Sequence, residues 1–194
     1  WEPGYRCNGG TFFTNLIRKK WGKNPRDLIK NQDAMGFVRK LTVPSKSYAR
    51  TITRLVGWNP DGSAARRPLA KIYGIAHITG GGVWNKFGEI LPKGIGTHLH
   101  SMPRPASVLL EAQRLSLDTK NPLTDWQAYS TFHGGCGTLL VCKNKDAFVI
   151  QNEARRDGII ANVVGTTTES ADNEIVIKSR FMEEGKELSS LRPE

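Results

Sequence analysis

The stretch Lys71-Ile72-Tyr73-Gly74-Ile75-Ala76-His77-Ile78 runs straight into Thr79-Gly80-Gly81-Gly82 and then Val83-Trp84-Asn85-Lys86-Phe87. The first part is rich in isoleucine and predicts a buried strand over 71–78. The glycines break that strand. Beyond them, Val83, Phe87, Ile90 and Leu91 recur at i, i+4, i+7 and i+8, the apolar stripe of a helix. Pro92 and Gly94 stop it.

The turn between strand and helix also carries chemistry. Consecutive glycines let the backbone approach a ligand closely, and the helix beyond them offers unpaired N–H groups and the positive end of its dipole. Such a place suits a phosphate or a carboxylate. His77 stands two residues before the turn, at the carboxyl end of the strand, where ligands of α/β folds bind. An imidazole there can hydrogen-bond a substrate or move a proton near neutral pH. A tight structural turn with His77 satisfied in the core fits the same residues, and spacing alone leaves both readings open. The turn is neither a Walker A loop nor a dinucleotide fingerprint, because no Gly-Lys-Ser/Thr ends it and GxGxxG is absent.

Three further segments carry signals. Arg6-Cys7-Asn8-Gly9-Gly10-Thr11 precedes an apolar stripe, so Arg6, Asn8 and Gly9 either meet an anion or make a plain turn and helix cap. Phe132-His133-Gly134-Gly135-Cys136-Gly137 either lines a cleft or punctuates the chain before a strand. Cys136 has no activating neighbour in sequence other than His133 and is not expected to be a nucleophile. His98 and His100 alternate on one strand and share a face. No third ligand lies at a suggestive spacing, so they are assigned to surface or packing roles and no metal site is expected.

Working outward, helices are expected over 11–21, 26–31, 45–56, 106–115, 124–131 and 146–157, with 37–43 a strand or extended. Ile95–His100, Thr138–Cys142, Ile159–Val164 and Glu174–Lys178 read as strands. Residues 57–69, rich in Gly, Pro, Asn and Asp, form a loop inside a single domain over 1–181, and a polar tail over 182–194 is expected to be loose. Interleaved helices and short strands give an α+β class, a mixed α/β sandwich with one sheet covered by helices.

Composition narrows the function classes. Charged residues make up 24% of the 194 and hydrophobic ones 38%, ordinary for a soluble domain. No apolar run approaches the roughly 20 residues that cross a bilayer, so no membrane association is expected. Three cysteines, Cys7, Cys136 and Cys142, without regular spacing argue against a disulfide framework and fit a reducing cytoplasm. The chain opens on Trp1 without a signal pattern, which reads as a start inside a longer protein or as a trimmed edge. The net charge of +10 is uneven: residues 1–73 hold 15 Lys and Arg against 4 Asp and Glu, a balance of +11. A solvated face against an acidic neighbour, a phosphorylated ligand, or nucleic acid would each fit that excess. No helix-turn-helix, zinc-finger or RNP-type signature supports nucleic acid, which is not expected as a partner.

Taken in order, these segments resemble the phosphoribosylformylglycinamidine cyclo-ligase (aminoimidazole ribonucleotide synthetase) family. Ala76-His77-Ile78-Thr79-Gly80-Gly81-Gly82 resembles its AHITGGG segment, Arg6-Cys7-Asn8-Gly9-Gly10 its SNG turn, and Pro44-Ser45-Lys46-Ser47-Tyr48 its P-T-x-x-Y stretch. Phe132 to Gly137 resembles its F-N-M-G-x-G turn and Val163-Val164-Gly165 its V-I-G. Cys7 stands where Ser is usual, His133-Gly134 where Asn-Met is usual, and the loop 57–69 is longer. The resemblance implies the carboxyl-terminal domain of an ATP- and Mg2+-dependent ligase that closes formylglycinamidine ribonucleotide to aminoimidazole ribonucleotide. It implies that ATP and Mg2+ are held mainly by an amino-terminal domain that this chain does not contain, and that the full-length protein is a cytoplasmic homodimer. It implies His77 as a catalytic or substrate-contacting group. Arg6, Asn8, Gly9, Thr79, Gly80, Gly81 and Gly82 become candidate contacts to a phosphorylated ribonucleotide. Formylglycinamidine ribonucleotide synthetase, hydrogenase maturation factors, and selenophosphate and thiamine phosphate enzymes share the domain, with glycine segments that differ more.

Overall fold

In the computed structural model, residues 2–6, 8–59 and 61–193 are described; Trp1, Cys7, Pro60 and Glu194, and the expectations placed on them, lie outside. The α+β class is what the structure shows. Four helices come first: α1 (Gly10–Trp21), α2 (Pro25–Lys30), α3 (Gln32–Leu41) and α4 (Ala49–Val56). Then β1 (Ile72–His77), α5 (Gly82–Gly88), β2 (Ile95–Leu99), α6 (Ser107–Ser116), α7 (Asp125–Thr131), β3 (Thr138–Cys142) and α8 (Asn144–Arg156) interleave. β4 (Thr166–Glu169), β5 (Ile175–Lys178) and β6 (Glu187–Ser189) close the chain.

The strands divide between two sheets. β1 and β3 form an antiparallel pair, while the second sheet runs β4-β2-β5-β6 with β2 and β5 parallel. The main core gathers Phe13, Phe37, Leu109, Tyr129, Phe132 and Ile177, all nearly or fully buried. Two aromatic contacts position the loops near β1. Phe13 of α1 stacks on Phe132 with ring centroids 5.3 Å apart, and Trp84 of α5 stacks on Trp126 of α7 at 5.8 Å. The first ties the start of α1 to the 132–137 turn, and the second fixes α5 against α7.

Three of the segments that differ from expectation do so for a local reason. Residues 37–43 are not extended: α3 carries Ala34, Phe37 and Leu41 as a buried stripe. Asn31 both ends α2 and caps α3, its side chain accepting from the Ala34 N–H at 3.0 Å. Ile159–Val164 is not a strand; its β-branched side chains are divided between a buried Ile159 and exposed Ile160 and Val163. The strand lies just beyond, in the fully exposed Thr166–Glu169. Finally, the segment from Met182, expected to be loose, supplies β6 with Leu188 buried. Asp125, buried at the start of α7, holds it by accepting from the N–H groups of Met182 and Glu183 at 3.2 and 2.9 Å. Trp126 Nε1 donates to the Ser189 carbonyl at 2.8 Å.

Candidate functional site

Three loops meet beside the carboxyl end of β1: residues 2–6 with 8–9, the Thr79–Gly82 turn, and the 132–137 turn. In sequence the first two are separate signals; the structure joins them. Asn8 donates through Nδ2 to the Thr79 carbonyl. Arg6 donates through Nη2 to His77 Nε2 at 3.1 Å. Because guanidinium has no acceptor, His77 must be neutral, with its proton on Nδ1. Burial and the neighbouring Arg6 charge both push the His77 pKa below its ordinary value, in agreement with that geometry. His77 stays solvent-accessible at the end of the strand.

Arg6 is held from behind. Its Nη1 lies 2.9 Å from Glu2 Oε2, and Glu2 is fully buried. Glu2 also accepts from the Tyr48 hydroxyl and, at 3.0 Å, from the Lys46 N–H. The guanidinium carbon lies 5.5 Å from the centre of the Tyr48 ring. Burial and the Glu2 carboxylate push the Tyr48 pKa well up, which keeps the hydroxyl a donor. Arg6 takes a left-handed backbone conformation at φ 61°, uncommon outside glycine and a mark of a residue fixed by its surroundings. With its charge compensated by Glu2, Arg6 is placed to position His77.

Sequence reading misses Glu2 and places Tyr48 only in the stretch resembling P-T-x-x-Y and within the helix expected over 45–56. Tyr48 is the N-cap residue of α4, which begins at Ala49, later than the expected 45. The one signal available is the i, i+4 spacing of Glu2 and Arg6. Nothing in sequence links Glu2 to Tyr48, 46 positions away.

The glycines divide by what they meet. A side chain on Gly82 would lie 2.0 Å from the Tyr129 carbonyl, so Gly82 is required by the packing of α5 on α7. Gly81 takes φ 86° as the residue before α5, a conformation that favours glycine. Gly80 has neither reason: its φ is ordinary and a Cβ there would meet nothing within 4 Å. Gly9 precedes α1 in the left-handed region at φ 84° and packs on Phe132. Neither α1 nor α5 has a side-chain cap at its start. The Asn8–Thr79 bond brings these two uncapped starts together, an arrangement that favours an anion.

The third turn supports this site from beneath. A side chain on Gly137 would strike Arg6 Nη1 at 2.3 Å and the Tyr48 hydroxyl at 2.5 Å, so glycine there makes room for the cluster. His133 is buried; its Nδ1 accepts from the Gly135 N–H at 3.1 Å, leaving Nε2 to donate to the Gly4 carbonyl at 2.7 Å. Burial pushes its pKa down to about 4. Cys136 is buried beside it, with its thiol pushed up to about 12, and is not a nucleophile. His98 points to Glu187 at 3.3 Å and packs edge-on against His100. Among the described residues, no three His, Cys, Asp or Glu side chains converge as metal ligands. No helix among them is long and apolar enough to cross a membrane.

Comparison with known proteins places these features in a family. Residues 63–178 match the family described as AIR synthase related protein, C-terminal domain. The phosphoribosylformylglycinamidine cyclo-ligase of Caldicellulosiruptor saccharolyticus is 26% identical over 168 residues, covering 84% of this chain and 45% of that protein. The enzymes of the same name from Bacillus thuringiensis (strain Al Hakam) and Bacillus cereus (strain AH820) are 24% identical over 170 residues, 88% of this chain and 44% of theirs. The chain thus spans less than half the length of these curated relatives.

Proposed function

The chain belongs to the AIR synthase related protein family, as its carboxyl-terminal domain, and on that premise we propose that it forms one wall of the catalytic site of an ATP-dependent ligase of purine biosynthesis. The reaction is the closure of formylglycinamidine ribonucleotide to aminoimidazole ribonucleotide, the activity for which its curated relatives are named. The observation that carries this reading is the junction of the two loops through Asn8–Thr79 and Arg6–His77. It sets a neutral imidazole, an open glycine and two uncapped helix starts around one accessible place.

In this reading the substrate phosphate lies near the starts of α1 and α5, against the backbone of Gly9, Gly80 and Gly81. His77 turns Nδ1–H toward the reacting end of the ribonucleotide, while Arg6 holds Nε2 and keeps the ring neutral. Asn8 fixes the distance between the loops. Gly82 sets the direction of α5 rather than touching ligand. ATP and Mg2+ are held mainly by an amino-terminal domain, and the full-length enzyme is a cytoplasmic homodimer.

The test uses Asn8→Ala in the full-length enzyme, with formylglycinamidine ribonucleotide as substrate. A fall in kcat/KM of about 10-fold or more is expected, in an enzyme that stays folded at the assay temperature although loss of the part-buried hydrogen bond lowers its melting temperature. Unchanged kcat/KM removes the junction from the site. The 194-residue chain alone is expected not to turn over substrate, and sustained cyclisation by it would overturn the assignment of ATP to another domain.

A further inference from the structure

A second concavity lies away from His77, walled by β3, α8, the end of β2 and the irregular segment 159–165. Its volume is about 500 Å3, within the range of sites for small molecules. Its walls include Leu99, Leu139, Val141, Ala147 and Ile150. Among the described residues, none of those lining it is Asp, Glu, Lys, Arg or His, in a chain where 24% of residues are charged. A charged ligand entering it would lose water and gain no counter-charge.

Uncharged polar side chains interrupt the apolar lining, among them Tyr48, Asn144, Gln151 and Asn162, and two of the polar residues are unpaired. The hydroxyls of Thr97 and Thr138 are buried and have no hydrogen-bond partner, although both residues line the cavity. Thr97 is 1% exposed. A buried hydroxyl left unpaired costs stability, and native proteins keep few of them without a reason. Valine would fill nearly the same volume at either position without that cost.

We propose that this cavity is a second binding site, taking an uncharged, largely apolar small molecule with one polar atom for the Thr97 or Thr138 hydroxyl. It is a different place from the phosphorylated-substrate site, since neither His77 nor the glycine turn lines it. The two adjoin through Tyr48 and Gly137, which face the cavity while also touching Glu2 and Arg6.

The experiment titrates indole, and separately indole-3-carboxylate, into the chain, followed by amide NMR and calorimetry. Indole is expected to shift residues of β3 and α8, while the carboxylate does not. Ala147→Phe, which fills the cavity from α8, is expected to abolish binding. Thr97→Val is expected to weaken it about 5-fold while the melting temperature holds or rises, because an unpaired hydroxyl is lost. Weakening by either variant supports the site. No shift with indole, equal binding of the carboxylate, or indole binding unaffected by both variants overturns it.

Discussion

The Arg6 guanidinium donates to Nε2 of His77 across 71 positions of sequence, at 3.1 Å. One hydrogen bond thereby selects the neutral imidazole and places its proton on Nδ1. Behind it stands the buried carboxylate of Glu2, which compensates Arg6. The candidate site is thus a relay of positions, Glu2 to Arg6 to His77, with one accessible end.

If Glu2 carries that role, Glu2→Gln leaves Arg6 buried without its counter-charge. Breaking one partner of a buried pair costs about 3–5 kcal/mol. Chemical denaturation should show a loss of that order. The His77 pKa, followed by NMR, should fall further, because Glu2 is the group that raises it. An unchanged His77 titration would separate Glu2 from the relay.

The glycine turn supplies a contrast between neighbours. Gly82→Ala drives a side chain into the Tyr129 carbonyl and should destabilise the fold by several kcal/mol, on the order set for strained backbone and overpacking. Gly80→Ala meets nothing and should leave the melting temperature unchanged. In the full-length enzyme the same Gly80→Ala should lower kcat/KM about 10-fold or more by blocking close approach of a ligand. A destabilised Gly80→Ala, or one with full activity, would refute the division drawn between the two.

Stability should depend on pH through His133. Its folded pKa is pushed down to about 4 from an ordinary 6.5, so the unfolded chain binds a proton more readily. The contribution is fully present above about pH 6.5 and is lost as pH falls toward 4, amounting to about 3 kcal/mol. Denaturation midpoints measured from pH 7 to 4 should fall accordingly. His133→Gln should flatten that slope, whatever its effect at pH 7.

Asp125 gathers donors from Gln113, Ser179, Met182 and Glu183. Asp125→Ala leaves several of them buried without an acceptor and should cost about 3 kcal/mol or more. Hydrogen exchange should show the loss first in β5 and β6, the strands whose connecting segment Asp125 holds.

The parts of this molecule legible in sequence are those fixed by local pattern. The strand, glycine turn and helix over 71–91 are there, although the strand, expected to be buried, leaves Tyr73 and Ile75 exposed, and the helix stops at Gly88 where its apolar stripe runs on to Leu91. Thr138–Cys142 falls where its apolar run ends. Sequence misleads where local preference and tertiary role part. Val38, Thr42 and Val43 suggest an extended chain, while Asn31 and the Ala34-Phe37-Leu41 stripe make a helix. Ile159 to Val164 has strand composition but walls a cavity, and β4 hides in four exposed residues with no apolar alternation. In the site, His77 and its glycines are visible as a motif. The Glu2–Arg6–Tyr48 support is not, because it exists only once distant loops meet.

Steady-state kinetics of the full-length enzyme carrying His77→Ala, with melting temperature measured on the same preparation, ask whether His77 acts on substrate. A fall in kcat of about 100-fold or more with the fold intact is expected, since His77 is accessible and its ring carries no core packing. Wild-type kcat in a folded His77→Ala enzyme would remove the imidazole, and the Arg6 that positions it, from the chemistry.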